Sequence, residues 1–330
     1  MHMHRTTSLM RVWFRPAAIV IALLAGGLPA VAEPFRIIVI PDVQWASLKW
    51  PEVTKRMTEW IVANRDKENI HYVLEVGDSV QNGGSETEWQ NIDAAMKTLD
   101  GKVPYIMAVG NHDYDRIQPR RSTVMFNRFF PVARFQKMPG FGGSFPEGRN
   151  DNSYHTFDAG GKKWLILSLN FMPSKEEIAW GNEVVGKHPG HQIILLTHSY
   201  LTHTERDVAG KILWEQLVRC NPNMSMVFCG HLSTVHARAD GDKGNTVCEM
   251  LFDWQNDVDP DFNSYFAIIT IDPAAGTISS RSYSPTLNKE LDGGRSGKID
   301  FKDVRFLPGD PAAAQPVAPP VVPTPTPPNP

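Results

Sequence analysis

Five apolar runs in this chain each end on residues able to bind a cation or move a proton, and that recurrence constrains the fold more than any other feature. The runs are Ile37 to Asp42, Tyr72 to Asp78, Tyr105 into Asn111-His112-Asp113, Gln192 to His198 and Met224 to His231. Each reads as a buried strand that delivers polar chemistry at its carboxyl end, where open α/β sheets place their ligands. The densest of these ends is Gly110-Asn111-His112-Asp113. Alone, that tetrapeptide reads equally well as a turn, since Gly, Asn and Asp are ordinary turn residues. The repetition is what points to a shared site.

The remaining elements fit between these runs. Phe35 to Asp42 reads as a strand and Pro51 to Asn64 as an amphipathic helix, with Val53, Met57, Trp60 and Ile61 near helical spacing. Tyr72 to Val76 and Tyr105 to Val109 follow as strands around a helix at Glu86 to Leu99, a parallel β/α pattern. Pro131 to Tyr154 shows no period and reads as a lid or substrate-facing loop. Beyond it, strands are expected at Ser153 to Phe157, Trp164 to Leu169, Gln192 to Thr197, Met224 to Cys229, Thr246 to Phe252, Tyr265 to Ile271 and Thr277 to Tyr283. Helices are expected at Ser174 to Val185 and Glu205 to Val218. This order fits an α/β architecture of two mixed sheets covered by helices.

The two ends differ from the middle. Arg5, Arg11 and Arg15 precede a short apolar stretch, Ala17 to Leu24, and Ala30-Val31-Ala32 closes it as a small-x-small site. These are the parts of a signal peptide over residues 1–32, with cleavage expected before Glu33. A membrane anchor fits less well, because the apolar stretch is short for a bilayer and is broken by Gly26, Gly27 and Pro29. The expected protein is therefore exported, periplasmic or extracellular, with no membrane anchor after cleavage. Residues 308–330 collapse to Pro, Ala, Val and Thr, a composition that cannot build a core and reads as a disordered tail. Residues 33–307 remain as the folded domain.

Cleavage would remove three of the 33 Lys and Arg and none of the 36 Asp and Glu, moving the formal charge from −3 to about −6. An acidic chain of this kind is not built to bind double-stranded nucleic acid, and a nuclease is disfavoured on the same ground. Affinity for a phosphate ester would need a local positive centre, which a divalent cation supplies. Three cysteines, Cys220, Cys229 and Cys248, leave room for one disulfide with no deducible pairing, and their spacing is no zinc motif.

Asp42-Val43-Gln44, Gly77-Asp78, Gly110-Asn111-His112-Asp113, His198 and Gly230-His231, in that order, resemble the motifs of calcineurin-like metallophosphoesterases. The likeness spans roughly Phe35 to Pro285. It implies a four-layer αββα sandwich holding two divalent metal ions, drawn from Mn, Fe, Mg, Ca and Zn, and a small phosphate-ester substrate. By the same resemblance Asp42 binds the first ion, Asp78 bridges both, and Asn111, His198 and His231 complete the second. A carboxylate can bridge two cations, while an amide oxygen and neutral imidazoles add donors without over-neutralising them. Two ions about 3.5 to 4 Å apart stabilise both the entering and the leaving oxygen of an in-line displacement at phosphorus. His112 takes the role of phosphate binder and general acid, and Asp113 that of the carboxylate orienting its ring.

The chain departs from the family pattern at two positions. Gln44 and Ser233 stand where that pattern has outer histidines, and both losses fall on the first ion. The first site then rests on Asp42, Asp78, the Gln44 amide oxygen and water, which suits Mg, Mn or Ca better than Zn. The pairing of Asp-x-Gln with Gly-Asp-x-x-Gln, here ending at Gln81, resembles a secreted bacterial subgroup. Asp253-Trp254-Gln255 ends a further strand and is a candidate source of a missing ligand. Trp45 and Trp50 are candidates for an aromatic wall, with packing the readier use. Tyr200 and His203 read equally as substrate-facing or as an exposed loop pair. Asp257, Asp259 and Asp261 lack the Gly and Glu of a calcium loop, and Gly293 to Lys298 misses phosphate-loop spacing. The reading reached is an exported phosphomonoesterase or phosphodiesterase that uses metal-activated water. Its rival is a catalytically weak binding or surface protein keeping one metal for structure.

Overall fold

In the computed structural model, which describes residues 33–118 and 120–308, the apolar runs become strands and their polar ends gather along one edge. The expected signal segment and all but the first residue of the expected tail lie outside the described residues. The first part of the chain forms β1 (Phe35–Ile40), α1 (Gln44–Lys49), α2 (Pro51–Asn64), β2 (Ile70–Glu75), α3 (Glu86–Met96), β3 (Tyr105–Met107), α4 (Val124–Phe129) and α5 (Val132–Phe135). Next come β4 (Phe141–Phe145), β5 (Asn152–Ala159), β6 (Lys162–Ser168), α6 (Lys175–Gly186), β7 (His191–Leu196) and α7 (Val208–Leu213), which runs into a π-helical turn at Trp214–Val218. The chain continues through β8 (Met224–Cys229), β9 (Val235–Asp240), β10 (Val247–Phe252), β11 (Phe266–Asp272), β12 (Thr277–Tyr283) and β13 (Ile299–Phe301).

Two mixed sheets result, one of six strands in the order β13-β12-β11-β1-β2-β3 and one of seven in the order β4-β5-β6-β7-β8-β10-β9. Alternation along each strand sends side chains to opposite faces, so both sheets are buried on both sides. Ile37 and Val39 of β1 join Trp164, Ile194 and Phe228 of the other sheet in a shared core. Ile38 and Ile40 instead face Val53, Met57 and Trp89 of the helices over the first sheet. Leu165, Leu195 and Val227 meet Ile178 and Leu213 over the second. The four-layer αββα sandwich is therefore present.

Local chemistry explains the starts of several helices. Pro51 sits at the first turn of α2, where its missing N–H costs nothing. Ser174 and Glu177 form a reciprocal capping box at the start of α6. The expected helix at Glu205 to Val218 starts later, at Val208, because the Asp207 side chain accepts from the Gly210 N–H at 2.7 Å and fixes the N-terminus there. The stretch Pro131 to Tyr154 is not one loop. It contains α5 and the edge strand β4, which pairs antiparallel with β5. Gly142 hides the strand signal, since a Cβ there would lie 2.1 Å from the Tyr154 ring. The short strands β9 and β13 and the helices α1 and α4 also escaped the sequence reading.

No disulfide forms among the three cysteines, and all are free. Cys248 opposes Met226 rather than Cys229 on the neighbouring strand. Cys248 packs into the core between the sheets while Cys229 packs under the helices, so the two thiols sit on opposite faces of one sheet.

Candidate metal centre

Six parallel strand ends converge, three from each sheet: those of β1, β2 and β3, and those of β7, β8 and β10. Asp42 and Gln44 follow β1, Asp78 follows β2, and Asn111, His112 and Asp113 follow β3. His198 follows β7, His231 follows β8, and Asp253 and Gln255 follow β10. The sheets are stitched here by side chains. The His231 N–H donates to Asp42 Oδ2 at 2.9 Å, and His198 Nδ1 lies 2.9 Å from the Val76 carbonyl.

The backbone is bent to serve these side chains. Asp78 and His231 adopt φ values of 54° and 76°, a left-handed conformation that costs about 1 kcal/mol or more for a residue with a Cβ. Glycine precedes three of the polar ends, and at two of them a Cβ would strike a carboxylate of the site. A Cβ on Gly110 would meet Asp78 Oδ1 at 2.1 Å, and one on Gly230 would meet Asp42 Oδ1 at 1.9 Å.

Donor atoms of Asp78, His198 and His231 lie within 4.8 Å of one another. A carbonyl only accepts, so His198 must carry its proton on Nδ1 to donate to Val76. A neutral ring then turns the Nε2 lone pair toward Asp78 Oδ2 and Asn111 Oδ1, each 3.1 Å away. Three electron-rich atoms facing one point fit a cation or a proton. Burial opposes protonation of His198, but the Asp78 carboxylate outweighs it and holds the imidazole pKa above its usual value. His231 goes the other way, lowered by burial and then by His198. Asp78 is pushed up by burial, but the charges and hydrogen bonds of His198 and His112 bring its net shift below the usual range.

Asp42, Gln44 and Asp253 are buried beside this group. Burial, then repulsion from Asp253 and Asp78, drives the Asp42 carboxyl well above its ordinary range. Burial also lifts Asp253 to about 6. Asp42 Oδ1 and Gln44 Oε1 are buried with no hydrogen-bond partner. Unpaired buried oxygens among mutually repelling carboxyls are costly alone and natural ligands for a hard cation, so the residues present fit divalent ions.

One expected role fails. Asp113 does not orient His112. Its carboxylate accepts from the backbone N–H groups of Asp78 at 2.9 Å, Gly110 at 2.7 Å and Val80 at 3.2 Å, pinning two strand ends together. Burial, then Asp78, pushes its pKa to about 7. The His112 ring is held by the Gln81 carbonyl, 2.9 Å from Nδ1, so that Nδ1 donates and Nε2 is left unprotonated in the neutral ring. Tyr200 does not face substrate either. It is buried, and its hydroxyl donates to Glu249 Oε1 at 3.1 Å. His203 is exposed. Trp45 and Trp50 are half-buried beside Lys49, and Trp50 packs into the core under the first sheet.

Glu75 and Phe171 belong to the site but were not identified in the sequence. Glu75 is a buried carboxyl inside an apolar strand, with Oε1 accepting from the Ser79 hydroxyl at 3.1 Å and Oε2 unpartnered. Alternation alone gives no reason to single it out. Phe171 lies with its ring centroid 5.8 Å from His198 and 5.3 Å from His231 and forms an aromatic side of the centre. No spacing signal marks it.

A family model for calcineurin-like phosphoesterases matches residues 35–233. An uncharacterized protein from Bacillus subtilis (strain 168), YvnB, is 29% identical over 267 residues, covering 78% of this chain. This chain spans only 20% of that relative's length. Among solved structures, purple acid phosphatase PPD1 from yellow lupin is similar, with a TM-score of 0.54 and 14% identity over 83% of this chain and 55% of that one. The calcineurin-like phosphoesterase YfkN from Bacillus subtilis is also similar, with a TM-score of 0.45 and 12% identity over 82% of this chain and 91% of that one. The matched segment contains the ends of β1, β2, β3, β7 and β8, and the chain belongs to the calcineurin-like phosphoesterase family.

Proposed function

We propose that this protein is an exported metal-dependent hydrolase of phosphate esters, acting on phosphomonoesters or phosphodiesters. The observation that carries the reading is the lone pair of His198 Nε2 facing Asp78 Oδ2 and Asn111 Oδ1, with His231 in the same group. In this reading Asp78 would be shared by two divalent cations, Asn111, His198 and His231 would hold one of them, and Asp42 and Gln44 would hold the other. Bound there, the cations supply Lewis acidity that lowers the pKa of water and offsets phosphate charge.

The chain's own residues do the rest. His112 is half-buried beside the group, and the Gln81 carbonyl fixes its tautomer so that Nε2 carries the lone pair of the neutral ring and can take a proton. As imidazolium it binds a phosphate oxygen and donates to the leaving alkoxide. The His112 N–H donates to Asp78 Oδ1 at 2.9 Å, so the ring and the bridging carboxylate are set by one backbone position. Asp113 holds that backbone in place. These bonds support the convergence of donors within 4.8 Å without help from a substrate.

Metal content measured alongside turnover of an aryl phosphate and a bis-aryl phosphodiester tests the reading. Two metals with turnover support it, whereas one metal and no turnover favour a binding protein. Export is supported by the charge, apolar length and Ala-x-Ala end of residues 1–32. Intact-mass analysis of the secreted protein should place the N-terminus at Glu33, and a start at Met1 removes that part of the proposal.

A further inference from the structure

The two positions where this chain lacks the family's outer histidines are joined by hydrogen bonds to one residue that lies outside the matched segment. Gln255 follows β10, two residues after Asp253. Its Nε2 donates to Asp253 Oδ2 at 2.8 Å and to Asp42 Oδ2 at 3.3 Å, and its backbone N–H donates to Asp253 Oδ1 at 2.7 Å. Its Oε1 accepts from Gln44 Nε2 at 2.6 Å. Its backbone carbonyl accepts from the Ser233 hydroxyl at 2.9 Å, and Arg295 donates to that hydroxyl at 3.2 Å.

These contacts have a direction. Asp42 Oδ2 already accepts from the His231 N–H and the Asp253 carboxyl already accepts from the Gln255 backbone N–H, so both face Gln255 as acceptors and oblige it to turn its NH₂ toward them. That places its Oε1 opposite Gln44 and obliges Gln44 to turn its own NH₂ inward. Gln44 Oε1 is left facing away from this chain of donors, buried and unpartnered. Asp42 reaches the same state by a parallel route: His231 and Gln255 occupy Oδ2, and Oδ1 has no partner. Ser233 does not point into the site, because its hydroxyl is used to hold Gln255.

We propose that Gln255 is a positioning residue that orients Gln44 Oε1 and Asp42 Oδ1 as donors to a cation, converting the first site from a histidine-containing to an oxygen-only one. This inference rests on the metallophosphoesterase reading and adds the selectivity of one of its two sites. Oxygen donors without imidazole favour Mn, Mg or Ca over Zn at this position, while the second site keeps two imidazoles and tolerates Zn.

The test is Mn(II) titration of the purified protein by calorimetry, with electron paramagnetic resonance to distinguish paired from isolated ions. Wild type should bind two Mn(II) with a spin-coupled signal. Gln255→Met removes the orienting amide at similar volume. It should lose the coupled signal, weaken one site by about tenfold or more and leave the other unchanged, as expected when a residue behind a ligand is removed. Gln44→Met should do the same, and Gln44→His should shift the weakened site toward Zn. Unchanged affinity at both sites in Gln255→Met would overturn the inference while leaving two-metal binding intact. Equal loss at both sites in Gln255→Met would overturn it as well, since the retained site reports a folded protein. Wild type without paired Mn(II) would overturn this inference and the metal reading beneath it.

Discussion

The two halves of the candidate centre solve the same problem with different materials. In one half, Asn111, His198 and His231 present short side chains, and a single backbone carbonyl, that of Val76, aims His198, whose Nε2 in turn meets Asn111 Oδ1. In the other, Gln44 is a long flexible amide, and it is aimed only by the chain of Gln255, Asp253, Ser233 and Arg295 behind it. A ligand with more rotatable bonds needs more partners to stay in place, because each fixed torsion costs conformational entropy. The amide half therefore depends on residues spread over three further segments of chain. Its integrity is a property of the fold more than of any motif.

In the proposed reading Asp78 is shared by both halves, and changing it should give the largest effect. On the proposed assignment Asp78→Asn removes the charge that would lie between two cations, and losing several kcal/mol of transition-state stabilisation corresponds to about a thousandfold or more in rate. Metal content should fall with activity. Equal metal content and equal turnover in wild type and Asp78→Asn would remove the bridging assignment and with it the idea of two coupled halves.

His112 lies beside the halves without belonging to either set of donors. His112→Asn should keep both metals yet slow turnover by about a hundredfold for esters with basic leaving groups, and much less for an activated aryl ester. Rates across a series of leaving-group pKa values check this. A uniform loss with metals intact would make His112 a phosphate-positioning residue, and loss of metal would make it part of the scaffold.

Asp113 holds the strand ends that support both halves. Asp113→Asn leaves a single side-chain oxygen for backbone donors that now use two, and should lower unfolding stability by about 2 kcal/mol. Denaturant unfolding of the metal-free protein measures it. An unchanged midpoint would mean the two halves are held by something other than this carboxylate.

Gln44 belongs to one half only, so its effect should be the smallest. Gln44→Ala should weaken the first site by about tenfold and leave the second as it was. A stepwise chelator titration should strip the first site earlier in the variant than in wild type. Simultaneous loss of both ions would erase the distinction between the halves.

Both the strands and the polar residues at their ends were legible in the sequence. Asp42, Asp78, Asn111, His198 and His231 each end an apolar run, and such a run must be buried whatever surrounds it. Helix α2 was equally legible, because Pro51 and the spacing of Val53, Met57 and Ile61 are local signals. The role of Asp113 was not. Adjacency in sequence suggested the neighbouring His112 ring, but the turn at Asn111 to Asp113 brings the carboxylate back onto N–H groups of two strand ends. Strand β4 was hidden because two glycines make room for a tyrosine ring on the next strand, a pairing no local pattern encodes.

The sequence by itself determined which residues could be buried and which chemistry stood at each strand end, because both follow from hydrophobicity and spacing along the chain. The tertiary structure decided how those ends are partnered. Gln44 and Gln255 are 211 residues apart, and only the packing of two sheets brings one amide against the other at 2.6 Å. Hydrogen-bond direction is set by which donors and acceptors face each other in space, and for residues on different sheets that information does not exist until the sheets meet.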